Sequence, residues 1–214
     1  MKKLTIALAI SAALSTPFVA AQDNADNWIF RVGVAHVSPN DDSGEVLGGG
    51  VGVDSDTGLA FSATYMVDAN WGVEVLGALP FSHDIVGTGS LSGAKLGETK
   101  HLPPVVSLVY QWGEETQFHV GAGLNYTVFF EEESSSTLDT ALNAQAKLDL
   151  ESSTGLAFKV GFDTPMTDGW KFTGSLRYIQ IDTTADVIIN DSVAASVDVD
   201  IDPWVVMLGV STTF

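Results

Sequence analysis

The sequence predicts an all-β fold: an eight-stranded antiparallel transmembrane β-barrel with four long extracellular loops and short periplasmic turns. Three observations predict it. Eight segments alternate apolar with polar or small residues, the connections between them are short on one side and long on the other, and the mean hydropathy is positive without a membrane-helix-length apolar run. Neighbouring side chains on a strand point to opposite faces, so alternation lets one face meet lipid while each strand looks only half apolar.

The first element reads as an export signal. Lys2 and Lys3 give a positive start, residues 4–14 a short apolar stretch, and Val19, Ala20 and Ala21 the small residues that signal peptidase needs. Ser15 and Pro17 interrupt the run too early for a membrane helix. Residues 1–21 are therefore expected to be cleaved, leaving residues 22–214 as one barrel domain.

The strands follow in order. Trp28, Phe30, Val32 and Val34 share one face, with Arg31, Gly33 and Ala35 between them. Leu59, Phe61, Tyr65 and Val67 alternate with Ala60, Ser62, Thr64 and Met66; Trp71, Val73, Val75 and Leu79 alternate with Gly72, Glu74, Leu76 and Ala78. Val106, Leu108, Tyr110 and Trp112 oppose Val105, Ser107, Val109 and Gln111. The run 118–130 sets Phe118, Val120, Leu124, Tyr126 and Val128 against His119, Gly121, Gly123, Asn125 and Thr127. Leu156, Phe158, Val160 and Phe162 then oppose Ala157, Lys159 and Gly161, and Trp170, Phe172, Leu176 and Tyr178 oppose Lys171, Thr173, Ser175 and Arg177. The last strand sets Trp204, Val206, Leu208, Val210 and Phe214 against Val205, Met207 and Gly209. Eight is an even number, and each run is about long enough to cross a bilayer when tilted.

Only residues 68–70 and 113–115, and the turn-rich 163–169, separate three of the strand pairs; the other four connections are long and polar. Four of the five tryptophans (Trp28, Trp71, Trp112 and Trp170) sit at the short-turn end, as an interfacial girdle requires. A soluble barrel would explain the alternation but has no use for that girdle or for a final phenylalanine.

Parity also assigns the lumen. Toward the short-turn end the inward positions are Arg31, Glu74, Gln111, Gln117, His119, Lys159, Lys171 and Arg177, and buried charges of both signs require pairing, so a polar plug of the lower lumen is expected. Toward the other end they are Leu76, Ala78, Pro103, Val105, Phe129, Ile179, Ile181, Ile201, Val205 and Met207. Core filling and a passage for hydrophobic solutes account for that apolar half equally well. Pro103 and Pro104 remove two amide donors from one strand, a weak place in the wall through which a solute can leave sideways.

Several motifs resemble the OmpW family of small outer-membrane proteins. They are Pro80-Phe81-Ser82-His83-Asp84-Ile85, Lys100-His101-Leu102-Pro103-Pro104, the run from Val120 to Thr127, Ile181-Asp182-Thr183-Thr184-Ala185 and Asp202-Pro203-Trp204-Val205. The resemblance spans the mature chain. It implies an eight-stranded barrel with a narrow hydrophobic channel admitting small hydrophobic molecules, and a related alkane-uptake barrel implies the same. It tips the apolar half toward a channel lined by Leu76, Pro103, Val105, Phe129, Ile179, Ile181, Val205 and Met207. The long acidic stretch 131–153 is where this chain departs, so substrate preference does not carry over.

Composition excludes several classes. There is no cysteine, hence no disulfide or thiolate metal site, and a net charge of −18 repels nucleic acid. The acidic loop residues (Asp41, Asp42 and Glu45, then Glu131, Glu132 and Glu133, then Asp186, Asp191, Asp198, Asp200 and Asp202) read as a solvated surface near lipopolysaccharide, with weak divalent-cation binding as the alternative. No metal and no cofactor is expected. Residues 138–150 show helical spacing in the third loop. Ser82, His83 and Asp84 look like a triad but are contiguous, and strand neighbours point apart, so no enzyme is expected. A lipid-modifying enzyme and a non-transporting anchor, adhesin or stress-responsive surface barrel are the rivals to a channel. The expected partners are hydrophobic solutes, outer-membrane lipids and lipopolysaccharide, and the barrel-assembly machinery reading Phe214. The expected location is the bacterial outer membrane.

Overall fold

The computed structural model describes residues 27–40, 45–46 and 49–214; the expected signal, residues 1–21, and Asp41 and Asp42 lie outside the described residues. The strands are β1 (Trp28–Ser38), β2 (Glu45–Val46), β3 (Gly49–Val53), β4 (Asp56–Met66), β5 (Trp71–Ala78), β6 (Phe81–Thr88), β7 (Lys95–Leu102), β8 (Val105–Trp112), β9 (Gln117–Ser134), β10 (Ala146–Leu150), β11 (Ser153–Pro165), β12 (Trp170–Ile179), β13 (Asp182–Ile189), β14 (Ser192–Asp200) and β15 (Trp204–Thr213). A short helix, α1 (Ser136–Leu142), precedes β10.

Eight strands form a closed antiparallel ring in the order β1-β4-β5-β8-β9-β11-β12-β15, with β15 pairing back onto β1. Closure leaves no ladder edge to hydrocarbon, where an unpaired amide has no water to turn to. The outward face is the apolar one: Phe30, Val34, Leu59, Phe61, Val75, Leu108, Leu124, Phe158 and Leu208 are all about half exposed. Aromatic contacts encircle the short-turn end, with Trp28 against Tyr65, Trp71 against Tyr110 and Trp112 against Phe118. Phe214 packs edge-on to Phe30, and its amide bonds to the Trp28 carbonyl, which joins the two ends of the chain at that rim.

Short turns are built locally. Asp68 accepts from the amides of Asn70 and Trp71 at 2.8 and 2.7 Å, an Asx-type turn that reverses β4 into β5. Between β11 and β12, Asp168 and Gly169 both adopt positive φ, which tightens the turn to residues 166–169. Asp163, expected in that turn, instead belongs to β11 and points into the barrel.

The four long connections are themselves strands. β9 continues past the ring and pairs with β7, carrying β6, β3 and β2 as a raised wall, while β10, β13 and β14 form a separate three-stranded sheet. Glu131, at φ 53°, sits where the β7–β9 register slips, and the bulge there interrupts the ladder between wall and barrel. The helix expected over 138–150 is only one and a half turns of that stretch: Ser135 caps Leu138, Asn143 ends α1 in the left-handed conformation, and Leu148 then pairs with Val187. These connections are less polar than expected, because Leu148, Leu150, Val187, Val197 and Val199 turn inward while Asp149, Asp198 and Asp200 turn out.

Glycine is needed inside the ring where backbones converge. A Cβ on Gly123 would stand 2.0 Å from the Val106 carbonyl oxygen, and backbone there cannot step aside. Gly123→Ala should therefore cost about 1–3 kcal/mol, as overpacking does, read as a lower urea midpoint of the bilayer-inserted barrel.

Candidate functional site

The lower lumen holds one connected polar network. Glu74 on β5 receives Lys159 from β11 at 2.6 Å, Arg177 from β12 at 3.2 Å and Arg31 from β1 at 3.5 Å. Ser62 and Thr64 on β4 add hydroxyl donors at 3.2 Å. Arg31 also clasps Asp163, its Nη2 lying 2.6 Å from Oδ2, and Ser211 donates to Asp163 from β15. The partners come from six strands, so the network crosses the lumen from wall to wall. Every charge in it is buried and has a counter-charge, and Arg31, Glu74, Asp163 and Arg177 each have a further hydrogen bond, the condition on which buried ions are tolerated.

Of the residues expected in this floor, Arg31, Glu74, Lys159 and Arg177 meet directly. His119 stands beside them, its Nε2 3.8 Å from Asp163, with its ring over Gly161, where any side chain would collide with it. Lys171 takes no part. It pairs with Pro165 at the turn end of β12 and is half-buried, below the network, because parity gives the face of a residue and not its depth. Asp163 is the member that sequence reasoning missed: Asp-Thr-Pro next to Thr-Asp-Gly has the composition of a turn.

Above the floor the lining becomes apolar. A lower cavity of about 20 Å³ is bordered by Leu76, Pro103, Ile179, Val205 and Met207, with Arg177 at its base. An upper cavity of about 60 Å³ is enclosed by all four long connections, through Val51 and Val53, His83 to His101, Leu138 to Leu150, and Ala185 to Ile201. Phe129 borders the upper cavity, and His101 borders both. Val105 and Ile181 line neither; both are fully packed in the apolar cluster that also contains residues of each cavity.

The wall beside the lower cavity is incompletely bonded. The β5–β8 ladder stops at Leu76–Val105, and pairing resumes only at Phe81–His101. Across residues 77–80 and 102–104 no register pair forms on this side; Leu79 bonds instead to Leu59, and Pro104 offers only its carbonyl, to Tyr126 on β9. Three prolines (Pro80, Pro103 and Pro104) fall in this seam.

The triad-like residues separate as strand geometry demands. His83 points into the upper cavity, whereas outside it Ser82 donates to Glu98 and Asp84 pairs with Lys95. The described loop carboxylates are likewise mostly turned to solvent or paired with lysine. Glu132 differs in having Oε1 buried, and Asp202 in accepting from the Tyr178 hydroxyl at 2.6 Å and the Ile181 amide at 2.9 Å, which fixes the root of the fourth loop.

The OmpW family profile matches residues 24–214. The chain is 43% identical to outer membrane protein W of Vibrio cholerae over 97% of each chain. It is 26% identical to the dibenzothiophene metabolism operon protein PahQ of Pseudomonas aeruginosa, over 87% of this chain and 88% of that one. The crystal structure of outer membrane protein OprG from Pseudomonas aeruginosa superposes with a TM-score of 0.78 at 36% identity, covering 89% of this chain and 96% of that one. Eight closed strands, an apolar outer band and these relatives lead to one conclusion: the chain belongs to the OmpW family and is an outer-membrane β-barrel protein.

Proposed function

We propose that the protein is a passive channel for small hydrophobic molecules, which enter the apolar upper cavity, pass to the lower one and leave sideways into the bilayer at Pro103. The carrying observation is the stacking of two apolar cavities over a cross-linked ionic floor, with the poorly bonded seam beside the lower cavity. An apolar solute gains about 0.8 kcal/mol for each methylene taken out of water, so apolar cavities attract it and the charged floor does not. The seam lowers the number of hydrogen bonds that must yield for a lateral exit. The family resemblance and the tie of PahQ, by its name, to metabolism of an apolar aromatic support the same reading. In this reading the floor acts as a plug, the first 21 residues are removed on export, Phe214 is read by the barrel-assembly machinery, and no reaction is catalysed.

The test is Pro103→Val with Pro104→Val, which restores two ladder donors. Uptake of an apolar solute into proteoliposomes should slow about tenfold, the effect of one or two added hydrogen bonds on an opening barrier. Unchanged uptake in a correctly folded double variant contradicts lateral exit. Hydrolysis of lipid in the same vesicles would support an enzyme instead.

A further inference from the structure

Three buried polar atoms in the upper cavity have no hydrogen-bond partner among the described residues: His83 Nε2, Thr99 Oγ1 and His101 Nε2. All three side chains are at most 2% exposed. The register brings them together, since His83 lies opposite Thr99 across β6 and β7, and the His83 and His101 rings stack at 4.7 Å with 9° between planes. The rest of the lining is almost wholly aliphatic. Each unsatisfied buried group costs about 1–3 kcal/mol, so three in one apolar cavity mark a place built for a polar atom of something else.

The chemistry of that atom follows from the tautomer. His83 Nδ1 is 2.5 Å from the Asp54 carbonyl oxygen, and a carbonyl only accepts, so the proton sits on Nδ1. The level of His83 and His101 is above the apolar outer band, as outward Lys100 paired with Glu131 marks it. Burial pushes His83 below the ordinary histidine range and His101 down to about 3, so both rings are neutral. His83 therefore turns a bare lone pair into the cavity, beside a threonine hydroxyl that both gives and takes. A carboxylate has no proton for His83 and would bring an uncompensated charge among aliphatic walls. An alkane satisfies none of the three atoms, and an ammonium ion accepts nothing from Thr99. A hydroxyl group donates once and accepts twice.

We propose that the upper cavity is a selective binding site for an apolar molecule carrying one hydroxyl group, an alcohol or a phenol, held by His83, Thr99 and His101. The proposal rests on the reading of this cavity as the channel entrance and names the solute class that the entrance prefers.

The full-length protein in nanodiscs, titrated with 4-fluorophenol and with fluorobenzene by fluorine NMR against empty nanodiscs, tests it. The phenol should bind about tenfold more tightly than its hydroxyl-free twin, as one or two net hydrogen bonds provide. T99V and H83F should each bring the ratio of the two affinities, measured within the same variant, close to one, and the His83 nitrogen resonance should move with phenol in the unmutated protein. Equal affinities, or a preference that survives in a folded T99V, overturn the hydroxyl site and leave water as the partner of these atoms. Uptake of an apolar solute is measured on the same preparation. If uptake persists while the preference is absent, only this proposal falls; if uptake is absent too, the channel reading falls with it.

Discussion

Glu74→Ala is expected to lower the unfolding free energy of the barrel by about 3–5 kcal/mol, the cost of leaving buried charge without its partner. Glu74 is the anion on which Lys159, Arg177 and Arg31 converge, and among the described residues the other anion in the network is Asp163. Removing it leaves three buried cations facing one carboxylate. Glu74→Gln keeps an oxygen for Ser62 and Thr64 and should cost less. Pairing it with Lys159→Met should recover part of the loss, because groups that share a partner are not additive. Urea titration in lipid, followed by tryptophan emission, measures all three. The alanine variant should also conduct anions in planar bilayers, since its lower lumen is wider and more positive.

Val199→Lys should reduce uptake of small apolar solutes at least about tenfold while leaving the ring folded. Val199 is buried and faces the upper cavity from β14, which lies outside the eight-stranded ring. A lysine there draws water into the cavity, and a solute that forfeits the burial of two methylenes, at about 0.8 kcal/mol each, loses about tenfold in occupancy. Val193→Lys is the matched control, because Val193 on the same strand is 56% exposed. Proteoliposome uptake separates them: equal rates in the two variants would remove the upper cavity from the path.

The ring was legible because lipid on one side and a packed lumen on the other impose a period of two that tolerates few exceptions. Val120, Leu124 and Tyr126 face out and His119, Asn125 and Thr127 face in, as parity requires. Depth is not legible in that period, so by parity Lys171 reads as part of a floor that it does not join, and Asp163 reads by composition as part of a turn. The upper cavity was hidden by charge. In Val197-Asp198-Val199-Asp200-Ile201 and Leu148-Asp149-Leu150 the same period of two runs through the acidic loops, with the carboxylates outside and the aliphatic residues lining the cavity. Reading those loops for alternation rather than for net charge is the signal that finds it. His83 illustrates the converse: its sequence neighbours Ser82 and Asp84 suggested a cluster, but its real companions, Thr99 and His101, lie across a strand pair.

The proposed path is apolar, enters from above, ends on an ionic floor and opens through the wall. Diffraction from crystals soaked in 1-bromohexane, with the bromine located by its anomalous signal, tests it most directly. Bromine is expected beside Phe129 in the upper cavity and beside Pro103 in the lower one, with none below Arg177 and Glu74. Bromine between Glu74 and the short turns, or both cavities free of it, would rule out that path.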